Sequence, residues 1–384
     1  MKRFLQIISY LLVAAAASCA TLFALGRGSA LYPKLTELGV LIDRYFVDEV
    51  DYDAVEDAAA EAMVDALGDQ WSYYMTAQAY QDYKERMNNA YVGIGVTITQ
   101  REDGYITIMK VEPGGPAEEA GVAPGDVLTA VAGQDISSMD MEQIRGMVKG
   151  KEGTTVKLCL RRDEKSFETE VERRTIQSIV AQSRMLDGNI GLVTIVNFDS
   201  RCAEETLAAV EQMLEQGAQS LIFDVRFNPG GYKKELVKIL DYLLPAGDLF
   251  RSEDYAGRTE TDTSNANHLK MPMAVLLNGN SYSAAEFFAA ALDEYDWATV
   301  VGEASTGKSH FQVTIPLRDG SAVNLSIGKY YTPKGVSLAD VGGLQPEVLV
   351  EVDDETEMAI YAGTLSPQED PQIQRAVEVL KTGN

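Results

Sequence analysis

From Ile190 onward the chain alternates strand patterns with helical ones, and this alternation restricts its fold more than any other feature. Ile190 to Val196 reads as a strand, Ala203 to Glu215 as a helix, Leu221 to Val225 as a buried apolar strand and Glu235 to Leu244 as a second helix. A further apolar run, Ala274 to Leu277, gives way to a helical pattern through Ala284, Phe287, Ala291 and Leu292. Strands and helices in strict turn build a mixed α/β core. Residues 246–270 are polar and without period, and read as a surface loop. Pro371 to Lys381 reads as a short amphipathic helix.

The chain has 384 residues, room for two or three domains. Residues 31–89 read as helical. Leu35, Leu38, Leu41, Ile42 and Tyr45 share one face, and helices over Tyr52–Leu67 and Ala77–Asn89 flank a turn-like Gly68-Asp-Gln-Trp-Ser. Nothing in this segment has a catalytic pattern; packing or dimerisation suits it, so a homodimer is one expected assembly. At Tyr91 the texture changes to short strands. Val92-Gly-Ile-Gly-Val-Thr-Ile98 alternates, and Tyr105 to Val111 is a second strand. Pro113-Gly-Gly-Pro-Ala117, a short helix and Ala120-Gly-Val-Ala-Pro-Gly-Asp-Val-Leu128 come next. A helix over Met139–Val148 and paired strands over Thr154–Arg161 and Phe167–Arg173 follow.

The N-terminus carries a targeting signal. Met1-Lys2-Arg3 precedes an uncharged, mostly apolar run from Phe4 to Leu25. A bilayer needs about 20 such residues, and basic residues ahead of the run favour a cytoplasmic N-terminus. Residues 1–30 are therefore expected to be an uncleaved single-pass anchor in the cell membrane, with the rest extracytoplasmic. Cleavage near Ala30 is the alternative. The net charge is -25, from 58 acidic and 33 basic residues, with no clustered basic face, which argues against nucleic acid as a partner. Cys19, Cys159 and Cys202 make no disulfide framework and no spacing resembles a metal site, so neither a metal nor a cofactor is expected.

Three segments could carry chemistry, and each has an ordinary structural reading beside it. Ser283 opens a helix, where unpaired amides stabilise negative charge; equally, Ser283-Ala-Ala-Glu286 is a capping box. The glycines of Asn228-Pro-Gly-Gly231 would let a backbone amide approach a substrate carbonyl, or would simply turn a strand into a helix. Lys308 lies in Gly302-Glu-Ala-Ser-Thr-Gly-Lys-Ser-His-Phe-Gln312; it could take a proton from serine only if burial lowers its pKa. In an extended segment the even spacing puts Gln312 on the same face as Lys308. Only two histidines, His268 and His310, are present, which leaves little for a histidine-based triad.

The phrase Gly-Pro-Ala-x-x-Ala-Gly-Val-x-Pro-Gly-Asp within residues 115–126 resembles PDZ domains, and places one over 90–175. That resemblance assigns the amides of Gly93, Ile94 and Gly95 to a carboxylate-binding loop. It also implies a groove, between the following strand and the Met139–Val148 helix, that takes a peptide as an extra strand. Everything after the apolar run resembles the carboxyl-terminal processing peptidases, or tail-specific proteases. The resemblance rests on Gly68-Asp-Gln-Trp-Ser-Tyr-Tyr74, the PDZ block, Lys151-Glu-Gly-Thr-Thr155 and Asp224-Val-Arg-Phe-Asn-Pro-Gly-Gly231. It continues through Ser281-Tyr-Ser-Ala-Ala-Glu286, Val301-Gly-Glu-Ala-Ser-Thr-Gly-Lys308 and Tyr331-Thr-Pro-Lys-Gly335.

The family likeness implies a crotonase/ClpP-like α/β protease core over 176–365 and a C-terminal helix or tail over 366–384. Carried over by position, Ser283 is the nucleophile, Lys308 the general base and Gln312 the residue that orients the lysine. The oxyanion hole falls to the amide of Ala284 and to that of Gly230 or Gly231. The chain departs from the family in having Ser309 after the lysine, Lys149 for an arginine, Asp293 then Glu294 near a usual aspartate, and Pro346-Glu347 for Pro-Asp. The expected protein is a membrane-anchored serine endopeptidase acting on protein or peptide substrates with unstructured apolar C-termini. A catalytically silent PDZ adaptor that binds extracytoplasmic C-termini is the alternative.

Overall fold

The structure, a computed structural model, describes residues 32–163 and 165–382. The expected anchor over residues 1–30, and Cys19 within it, lie outside the described residues. Among those described, no helix is long and apolar enough to cross a membrane. The chain divides into two compact units, the first ending at Gly68 and the second starting at Asp69. The first contains α1 (Tyr32–Tyr45) and α2 (Tyr52–Asp65); Asp51 caps α2 by accepting the Ala54 N–H at 3.1 Å.

The second unit begins with β1 (Tyr73–Met75) and α3 (Ala77–Met87). The expected PDZ stretch then builds two sheets. β2 (Ala90–Gly93) pairs with β9 (Arg174–Gln177). A second sheet has the order β3 (Val96–Gln100), β4 (Ile106–Val111), β5 (Val127–Val131), β7 (Thr155–Arg162), β8 (Lys165–Glu172), with β6 (Gln134–Asp135) beside β5. The single strand expected over 92–98 is broken, because Gly95 takes φ +76° and Ile94 plunges into the core. β2 and β3 thus join different sheets, and β3 becomes a sheet edge. Helices α4 (Pro116–Glu119) and α5 (Met141–Val148) close the layer, with Ile144 of α5 buried among Ile106, Ile108, Leu128, Leu158 and Leu160. The aspartate of the Pro-Gly-Asp turn braces the fold, since buried Asp126 accepts the Ala123 N–H at 2.9 Å and two hydrogen bonds from Arg162.

The alternating region forms the expected α/β core. β10 (Ala181–Leu186) runs antiparallel to β11 (Ile190–Ile195), which is followed in space by β12 (Ser220–Asp224), β15 (Met273–Leu277), β16 (Ala298–Gly302) and β19 (Val348–Leu349), all parallel. The central strands β11, β12, β15 and β16 are almost wholly apolar because both faces are covered. Leu221, Phe223, Val275 and Leu277 pack under α6 (Cys202–Glu215), α7 (Lys233–Leu243) and α8 (Ala284–Glu294). Ile222, Ala274, Leu276 and Val301 meet Ile373, Ala376 and Val377 of α10 (Pro371–Thr382), beyond the short α9 (Asp354–Tyr361). Buried Arg226 fastens α10 to the sheet, pairing with Asp224 at 2.7 Å and Asp370 at 2.9 Å.

A second expectation fails. Residues 246–270 hold a hairpin, β13 (Gly247–Asp254) and β14 (Thr259–Ser264), rather than an irregular loop. Only Leu249 and Phe250 pin it to the core, and a bulge between Asp248 and Phe250 interrupts its period. The rest of the strand pair is mostly Thr, Glu, Asp and Ser, which offer little apolar contrast to read. The hairpin extends a sheet in which β18 (Ala322–Tyr331) pairs with β1, β13 and β17 (His310–Pro316).

Candidate active site

The C-terminal ends of parallel strands are where open α/β sheets build sites, and Ser283 stands at the joint between β15 and α8. Its backbone has φ +59° and ψ -123°, a region that residues with a side chain avoid. The turn is over-determined by its neighbours. The Ser281 hydroxyl donates to the Val225 carbonyl at 2.8 Å, and the Tyr282 N–H donates to the Asn228 carbonyl at 3.1 Å. The Glu286 amide donates to the Ser283 carbonyl at 2.9 Å, closing the first turn of α8.

Glu286, fully buried, joins this turn to the lysine loop. Its Oε2 accepts the Ser283 N–H and the Lys308 N–H, each at 2.8 Å. Its Oε1 accepts the Gly307 N–H at 2.6 Å and the Ser305 hydroxyl at 2.5 Å. One carboxylate thus fixes the backbone of both residues of the Ser–Lys pair. In the sequence Glu286 reads only as the third position of a capping box; its pairing with residues 305–308 is not encoded locally.

The Lys308 amine lies 4.6 Å from the Trp71 ring centre and 5.5 Å from that of Tyr282. Burial lowers its pKa to about 8, against the opposing pull of Glu286 and Asp69. At pH 7 about one-tenth of the amines would then be neutral. Among the described residues no hydrogen bond joins the amine to the Ser283 hydroxyl; the amine rests on the two rings.

Across the turn, Gly230 presses directly against the serine. With φ +85°, it has no room for a methyl group, which would lie 2.7 Å from Ser283 Cβ and 2.8 Å from the Ala284 nitrogen. The Gly230 N–H is engaged by the Asn228 Oδ1 at 2.8 Å. The amides of Gly231 and Ala284 donate to no group among the described residues.

The sequence compares closely with proteases of known class. The profile of peptidase family S41 matches residues 189–350, and that of a PDZ domain matches 107–162. The chain is 30% identical over 369 residues to the carboxy-terminal processing protease CtpA of Bacillus subtilis, covering 92% of this chain and 79% of the relative. The chain belongs to peptidase family S41. It is 33% identical to a CtpA-like serine protease of Staphylococcus haemolyticus, over 77% of this chain and 60% of that one. A solved S41 protease from Bacteroides fragilis shares the fold, with a TM-score of 0.54 and 16% identity over 88% of this chain and 99% of that one. As a member of the family the chain is a serine-type peptidase.

The remaining expected residues fall in distinct surroundings. The Gln312 amide nitrogen donates to the His310 carbonyl at 3.1 Å and the Ser326 hydroxyl at 3.0 Å, beside a bulge at Phe311 and Gln312. The Gly93 backbone pairs with Arg174, while the Ile94 and Gly95 carbonyls accept from Ala117 and Glu112. The departures from the S41 pattern also have partners. Buried Ser309 accepts the Ala339 N–H at 2.9 Å, a bond a glycine could not supply. Glu294 accepts from the Thr332 hydroxyl and the Lys334 N–H, both at 2.6 Å, and so ties α8 to the 332–335 turn. Burial and the neighbouring Glu347 push Asp293 up to about 7. Lys149, at the end of α5, bridges to Asp82 at 3.2 Å and Glu85 at 2.9 Å on α3. Among the described residues no group of three or more His, Cys, Asp or Glu could hold a metal ion.

Proposed function

We propose that this S41 peptidase is a membrane-anchored endopeptidase acting outside the cytoplasmic membrane through a Ser283–Lys308 dyad. The observation that carries the reading is a partly dry lysine, its pKa lowered by burial, tied through Glu286 to the backbone of a strained serine. The Ser283 oxygen attacks the scissile carbonyl carbon while its proton passes to the Lys308 amine. The oxyanion forms against the amides of Ala284 and Gly231, which are free to donate, rather than that of Gly230, which Asn228 already holds. Lys308 then returns the proton to the departing amine as the peptide bond breaks, leaving an acyl-serine. In the second half it takes a proton from water, whose oxygen releases the acyl group. The side-chain oxygen of Gln312, on the strand β17 that follows the lysine loop, would accept from the ammonium and orient it.

Substrate enters through the PDZ region. The unpaired edge of β3 and the neighbouring α5 suit strand addition by an unstructured apolar C-terminus, its carboxylate meeting the amides of Gly93, Ile94 and Gly95. The apolar run Phe4–Leu25 is the anchor. The reading is tested with a peptide that ends in small apolar residues. Cleavage is expected from the wild type and from neither Ser283→Ala nor Lys308→Ala, and amidating the peptide terminus should reduce kcat/KM about tenfold. Undiminished cleavage by either variant contradicts the dyad. Binding of the tail without cleavage by the wild type in the same assay, as a silent PDZ adaptor would give, also contradicts the reading.

A further inference from the structure

We infer that Trp71 is a positioning residue for Lys308: its indole, with the ring of Tyr282, forms an aromatic seat that holds the amine and keeps water from it. The inference rests on Lys308 acting as the base. Trp71 precedes β1, in a segment with no catalytic pattern of its own, yet its ring centre is 4.6 Å from the Lys308 amine, closer than that of Tyr282. The two rings are 5.7 Å apart and tilted by 31°. Trp71 is itself held at both backbone ends. Its N–H donates to Asp69 Oδ1 at 3.2 Å, and its carbonyl accepts from the Asn324 amide at 3.2 Å. Tyr282 is the residue before the nucleophile, so the seat is built partly from the turn that carries Ser283.

An aromatic face acts on a lysine in two opposed ways. Its π-electrons attract the ammonium, and its bulk removes the water that would solvate the charge. The carboxylates of Glu286 on α8 and Asp69 in the turn ahead of Trp71 both favour the charged form. On the strand side, His310 acts electrostatically on Asp69, and the neighbouring Gln312 and Ser326 are uncharged. Desolvation outweighs these attractions, and burial lowers the amine to about 8 from its ordinary 10.5. Of the two rings Trp71 is the nearer to the amine, so its removal should wet the amine and return the base to its protonated form at neutral pH.

The test is the pH profile of kcat/KM on one peptide for four enzymes. The wild type should lose activity towards acid with a midpoint at about 8. In Trp71→Ala the midpoint should rise by at least about one unit, which is about a tenfold loss at pH 7 with partial recovery at high pH. Trp71→Phe, which retains a ring wall, should stay within a few tenths of the wild-type midpoint. If Trp71→Ala does not fold, Trp71→Gln, which fills more of the space than alanine and brings a polar group to the amine, should show the same rise. A purely structural role would lower the rate equally at every pH, and an unmoved midpoint overturns the inference. Lys308→Ala, assayed in parallel, should be inactive throughout. Activity there overturns the dyad itself, whereas an unmoved Trp71→Ala midpoint beside an inactive Lys308→Ala overturns only the role of Trp71.

Discussion

Ser283 holds a backbone conformation that costs an L-residue about 1–3 kcal/mol, kept in place by the Tyr282–Asn228 bond before it and by its own N–H bond to Glu286. Relieving that strain should be visible apart from catalysis. Both Ser283→Gly and Ser283→Ala lose the nucleophile, but the glycine variant should be about 1 kcal/mol more stable than the alanine variant in urea unfolding. Equal stabilities would mean that the turn stores nothing. The same residues explain what the sequence could convey. Ser283-x-x-Glu286 is a capping box in many helices, and its letters say nothing of the second carboxylate oxygen, which reaches Ser305 and Gly307 instead. Gly230 is legible as a glycine that something must approach, but not that Ser283 Cβ itself is what approaches it. Trp71 is invisible in the sequence as a site residue because its contact with Lys308 joins segments far apart in the chain.

The parallel strands are the easiest elements to read, since burial on both faces makes Leu221–Val225 and Ala274–Leu277 almost wholly apolar. The hairpin of β13 and β14 is not, because its residues are mostly polar on both faces and only Leu249 and Phe250 carry large apolar side chains into the interior. The position of α10 is also hidden. Its amphipathic pattern is plain, but its partner is fixed by Arg226, which lies in the loop leading to Gly230 and is paired with Asp224 and Asp370. Replacing Arg226 with alanine would leave two buried carboxylates uncompensated. The expected cost is about 3–5 kcal/mol in urea unfolding, with early hydrogen exchange in α10. A loss under about 1 kcal/mol would show that the ion pairs do not hold the helix.

At the scale of the molecule, Trp71, Gly230, Ser283 and Lys308 come from four separated segments and converge beside the joint between β15 and α8. The PDZ region enters the same unit through Lys149 and its two carboxylates on α3. Such convergence depends on non-local packing, so the sequence conveyed the chemistry chiefly through its resemblance to a known family, and the fold through its alternation. The proposed mechanism requires that Ser283 be acylated at a rate set by the deprotonation of Lys308. Quenching single turnovers of a tail-bearing peptide and measuring the acyl-enzyme by mass spectrometry reads that step alone. The expected result is an adduct on the peptide containing Ser283. It should form about tenfold faster at pH 7 than at pH 6, level off above about 8, and be absent in Lys308→Ala. An adduct on another residue, or an acylation rate independent of pH across that range, would contradict the mechanism.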